Sequence, residues 1–159
     1  MLAPPLQFVL ALLRIAAALA LLGPGLHKIG WIAHPALDAQ LQQWITQAHN
    51  PLVLKYLNFM LPHANLLARI VVAGELGLGT LLLFGFLTPL AAVLGFLMVA
   101  NFHFASGAML SLDYLTGQDG LVFLFIFPVL LLGRAGSMLG VDGFIGRKMA
   151  SGGGKPGGK

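Results

Sequence analysis

Arg14, Arg69, Glu75, Asn101, His103 and Asp119 stand inside or at the edges of long apolar runs in this chain. Ionisable groups in such runs are costly and rarely face lipid, so each marks either a function or a specific internal pair. Glu75 and Arg14 suit a proton-handling or quinone site. Imidazole near neutral pH suits a metal ligand, a haem ligand or a proton carrier.

A depth comparison singles out two of these groups. Arg14 lies twelve residues before Leu26, read as the end of the first span. Glu75 lies eleven residues after Ala64, read as the start of the second. At helical rise both fall roughly 17 Å below the same surface. The expectation is an Arg14–Glu75 ion pair between antiparallel neighbours, serving either a proton or quinone site or helix register alone.

His27, His63 and His103 are expected near that surface, with His34 on the connection above it and Asp119 opening the fourth span. Arg69 lies about a turn and a half into the second span. Together these would shape an outward-facing polar pocket: Arg69, Asn101, Asp119 and His27 to bind, and Glu75, Arg14 and His103 to act. No pair has a tight ligand spacing of the HExxH kind, so no metal site is assigned. His27 with His103 is the one pairing that suits a membrane haem. With no cysteine, covalent haem, disulfides and thiolate ligands are excluded.

Positioning these groups falls to helices. The chain has 159 residues, 58% hydrophobic and 9% charged, against about 25% charged in soluble domains. Spans are expected over about 6–26, 64–86, 89–105 and 118–132, set against the ~20 residues that cross ~30 Å of hydrocarbon, and the fourth is short. Continuous apolar runs rather than alternation exclude a β-barrel. The fold expected is therefore an all-α bundle of four transmembrane helices.

The 37-residue connection from His27 to His63 is too long for a plain loop. Pro35, Asp38 and the helical spacing of Leu37, Leu41, Trp44, Ile45 and Ala48 predict a short helical cap. A second segment starts at Asn50-Pro51. Pro128 should kink the fourth span. Residues 1–150 read as one domain, and the Gly/Lys-rich tail 151–159 as disordered.

Five of the nine basic residues lie in the last 26 positions. The Lys/Arg bias puts both termini in the cytoplasm and the long connection outside. It is a topology signal, not a nucleic-acid patch. The N-terminal run lacks a basic lead-in and is long enough to span, so it reads as an anchor rather than a cleaved leader. Ala73 and Gly77, with Gly74 and Gly79, permit close helix approach.

Taken together, the pieces resemble the DoxX/DoxD family of small four-helix membrane proteins. They are Arg14 followed by Gly25-Leu26-His27-Lys28; Gly74-Glu75-Leu76; Leu83-Phe84-Gly85-Phe86-Leu87-Thr88; Asn101 to Gly107; and Gly133-Arg134 with Gly140-Val141-Asp142. Thr88-Pro89 stands where the family usually shows Thr-Arg. The resemblance implies a bacterial inner-membrane protein linked to quinone-dependent redox metabolism. The DoxD branch includes a thiosulfate:quinone oxidoreductase subunit, which implies quinone as cofactor and a partner membrane or periplasmic subunit. A sulfur oxyanion arriving from outside would meet Arg69 and the histidines. The alternative is a non-catalytic accessory subunit packed against a larger membrane complex.

Overall fold

The computed structural model describes residues 4–110, 114, 121–133, 135–136 and 140–152, and among these every regular element is helical. Helix α1 (Pro4–His27) ends in a short 3₁₀ turn over Ile29–Ile32. The long connection folds into α2 (Leu37–Gln47) and α3 (Pro51–Met60). A 3₁₀ turn at Leu61–His63 leads directly into α4 (Ala64–Phe84), and α5 (Thr88–Ala105) returns antiparallel to it. Helices α6 (Leu121–Leu132) and α7 (Val141–Gly152) complete the chain.

Packing makes a ring of four. α1 lies on α4, α4 on α5, α5 on α6, and α6 closes back onto α1. Its core interleaves small and large side chains: Ala17, Ala18, Ala91 and Ala92 among Leu21, Leu82, Phe127 and Leu130. Alanine at these seams lets backbones approach where lipid supplies no hydrophobic drive between helices. Among the described residues, three stretches are long and apolar enough to cross a membrane: α1, the α3–α4 column and α5. Leucine, valine and phenylalanine on their outer faces are exposed, as expected of surfaces that meet acyl chains.

The cap forms as its periodicity predicts. Leu37 and Leu41 of α2, with Val53 and Leu57 of α3, bury against Ala64 and Ala68 of α4 and Ala105 of α5. Helix α2 begins at Leu37, two residues later than Pro35 suggested. Asn50 caps α3 by accepting the Leu52 amide at 2.9 Å, and Pro51 follows with its fixed φ. The α4–α5 turn is tight: Gly85 (φ 63°) and Leu87 (φ 49°) both take the left-handed conformation. Helix α7 runs through Gly152, two residues into the segment expected to lack structure. Asp119 and residues 153–159 lie outside the described residues.

Candidate functional site

The register between α1 and α4 decides which charges meet. A Cβ added at Gly25 would lie 3.0 Å from the Cβ of Glu75, so these two residues are level. Gly79 faces Leu22 and the Ala18 carbonyl, and Gly85 faces the Arg14 guanidinium. Arg14 is therefore about eleven residues, or about 16 Å at helical rise, from the level of Glu75. The expected Arg14–Glu75 pair does not form. The two helices do run antiparallel, but α4 starts well beyond the level at which α1 ends. Its first turns are sheathed by the cap, and Ala64 was no marker of that level.

Glu75 instead pairs with Lys28. Lys28 Nζ donates to Glu75 Oε1 at 2.6 Å, with Glu75 3% exposed and Lys28 half-buried. Lys28 lies one residue past α1, where the chain turns, and its side chain reaches down to the carboxylate. Gly25 makes room: any larger residue there would press on Glu75 and Leu76. The ammonium also lies 5.8 Å from the Trp31 ring and 5.6 Å from the Phe102 ring, within cation–π range. Glu75 Oε2 is buried and has no hydrogen-bond partner among the described residues. A buried acceptor left open is uncommon and calls for an explanation.

Other polar groups lie around this pair without joining it. Asn101, next to Phe102, accepts a hydrogen bond from the Tyr56 hydroxyl of α3 and so ties the cap to α5. His103 Nδ1 lies 2.7 Å from the Tyr114 hydroxyl, and the two rings meet edge-on. Arg69, a turn and a half above Glu75, is exposed and donates from Nε to the Ile32 carbonyl at 3.2 Å. His27 turns back on its own helix, 2.8 Å from the Gly23 carbonyl, and His63 sits against Phe59. The histidines thus have separate local partners and do not pool.

Arg14 belongs to the far end of the ring. It is 1% exposed and donates from Nη1 to the Ala135 carbonyl at 2.9 Å. Asp142 lies close enough to attract it electrostatically. The Asp142 carboxylate accepts the amides of Leu87 (2.9 Å) and Thr88 (2.8 Å), and its own amide donates to the Gly85 carbonyl at 3.0 Å. It thus caps α5 from 54 residues away and complements the positive end of that helix dipole. Gly85, Gly136 and Gly140 let these strands of chain pass within contact of Arg14 and Thr88.

The DoxX family model matches residues 9–108, well over half of the chain and inclusive of Arg14, Lys28, Glu75 and the α4–α5 turn. The chain belongs to the DoxX family. A search of curated proteins and a search of solved structures each returned no match. As a DoxX protein with three spanning stretches it is a multi-pass membrane protein.

In this DoxX protein, sequence reasoning found Glu75 and missed its partner. Lys28 reads as an ordinary interfacial cation, one of many that flank spans. The signal was its spacing from Gly25: nearly one turn further on, it shares the face on which a glycine admits the other helix. Asp142 was likewise visible only as part of a Gly-x-Asp pattern, with no mechanism attached. Its role needs the three-dimensional return of the chain to the α4–α5 turn.

Proposed function

We propose that this protein is a subunit of a quinone-linked membrane oxidoreductase, of the thiosulfate:quinone type, with its quinone contact at the Lys28–Glu75 pair. The observation that carries the reading is the buried Glu75 Oε2, an acceptor with no donor among the described residues, beside a fixed cation and two aromatic rings. Those residues fit a quinone headgroup. Glu75 Oε2 would accept from a ring hydroxyl of the reduced quinol, Phe102 and Trp31 would offer apolar faces, and Lys28 supplies the counter-charge that makes a buried carboxylate tolerable. A quinone bound there supplies two-electron, two-proton chemistry. Glu75 would relay those protons one at a time between the bound quinone and the water that half-buried Lys28 reaches. The electrons come from a partner subunit that holds its own redox centre.

In this reading α6 is a fourth span, the membrane is the bacterial inner membrane, and both termini face the cytoplasm. Arg69, Asn101, His103 and His27 then lie toward the outward face. The test is equilibrium binding of a quinone analogue to the full chain in vesicles, with Glu75→Gln and Asn101→Ala alongside. Glu75→Gln should weaken binding by about tenfold, the equivalent of ~1.4 kcal/mol, and abolish quinone-dependent activity of the assembled complex, while Asn101→Ala retains both. Equal binding by wild type and Glu75→Gln, with a stable large partner recovered by co-purification, would assign the accessory role instead.

A further inference from the structure

Helix α7 carries a surface that the site does not use. Its first turn is pinned to the bundle: Asp142 holds the α4–α5 turn, and the Gly143 amide donates to the carbonyls of Gly136 and Gly140. From Phe144 to Met149 every residue is exposed. Val141, Phe144, Ile145 and Met149 follow the i, i+3, i+4, i+8 spacing of a single helical face. Phe144 is 64% and Met149 74% exposed. Arg147 borders that face, Lys148 stands within it four residues after Phe144, and Lys155 and Lys159 follow in the sequence.

A twelve-residue helix whose residues Phe144 to Met149 are all exposed is marginal in water. Its apolar stripe needs an occupant, and the position of its anchor says which. Asp142 is bonded to the turn joining α4 and α5, two segments apolar enough to cross a membrane. That turn must lie at a membrane face, so the root of α7 lies there too. A short amphipathic helix at that level, with Arg147 bordering its apolar face and the long stem of Lys148 able to carry its charge out of it, matches the pattern of helices that lie in the headgroup plane. Basic side chains there favour anionic lipid.

We propose that α7 is an interfacial helix that lies on anionic lipid at the membrane face holding the α4–α5 turn. Phe144, Ile145 and Met149 enter the acyl boundary, while Arg147 and Lys148 reach lipid phosphates. The site is independent of the Lys28–Glu75 pair and of any quinone.

The absence of cysteine makes a direct test available. Phe144→Cys, Met149→Cys and Gly146→Cys, each in the full chain, are spin-labelled and reconstituted. One set of vesicles is phosphatidylcholine alone and the other contains phosphatidylglycerol. Labels at 144 and 149 should be several-fold more accessible to oxygen than to a water-soluble nickel chelate, and the label at 146 the reverse. The contrast should be sharper with phosphatidylglycerol and should weaken in Arg147→Gln/Lys148→Gln. Equal nickel access at all three positions overturns the proposal. So does spin–spin broadening at 144, which would mean that a second copy covers the stripe. Identical immersion in both vesicles overturns the role given to charge.

Discussion

The two ends of the helical ring use charge in opposite ways. At the turn end, Arg14 is spent on a backbone carbonyl and both oxygens of Asp142 are spent on backbone amides. Thr88 Oγ1 is the one buried oxygen there with no partner among the described residues, and it is neutral. At the capped end, Lys28 and Glu75 hold each other, and one carboxylate oxygen has no partner among the described residues. Charges absorbed by backbone hold the fold together. A charge with an open valence beside aromatic rings is available for chemistry. This contrast places the binding reading at Lys28–Glu75 and a structural one at Arg14, although sequence alone grouped Arg14 with Glu75.

Mutation can break the contrast most directly at Arg14. Arg14→Ala removes a fully buried cation and strands the Ala135 carbonyl and Asp142, at a cost of about 3–5 kcal/mol. Thermal unfolding in detergent should show the largest loss of any single change described. Quinone-analogue binding, measured on whatever fraction stays folded, should be unaltered.

The capped end gives the second test. Lys28→Leu leaves Glu75 buried without a counter-charge and should cost about 3 kcal/mol. Lys28→Leu with Glu75→Leu should regain most of that, since the charge is then absent rather than unpaired. By contrast, Arg14→Leu and Glu75→Leu should add to within about 0.5 kcal/mol, as expected of sites that do not touch. A strong coupling between Arg14 and Glu75 would restore the pairing that their positions in sequence suggested.

The smallest effect belongs to the cap. Asn50→Ala deletes the side-chain acceptor at the start of α3 and should cost about 1 kcal/mol. Faster hydrogen exchange should be confined to α2 and α3, because the Leu37–Leu57 cluster closes over the ends of α4 and α5 without forming part of the ring.

Much of this was legible in the residues. Continuous apolar runs located α1, α4 and α5 to within two residues, and the period of Leu37 and Leu41 announced α2. Gly85 and Thr88-Pro89 marked the turn. Register was not legible, because it depends on how far α4 continues above α1. Ala64 begins a helix but not a membrane span, since α3 feeds almost straight into it. Helix α7 was missed because Gly143 and Gly146 weaken its helical signal. Arg14 and Glu75 were each rightly singled out as buried charges, since composition alone makes such residues conspicuous. Their partners come from Lys28, just past a span, and from Asp142, far along the chain.

The cap on α5 also carries a consequence for how the protein is made. Leu87 and Thr88 leave the ribosome more than fifty residues before Asp142 does. Until that carboxylate arrives, the first amides of α5 have only water or headgroups to satisfy them. Maturation therefore waits on a segment translated more than fifty residues later, and a nascent chain that has not yet reached residue 142 would hold its hairpin of α4 and α5 without the latch that secures it.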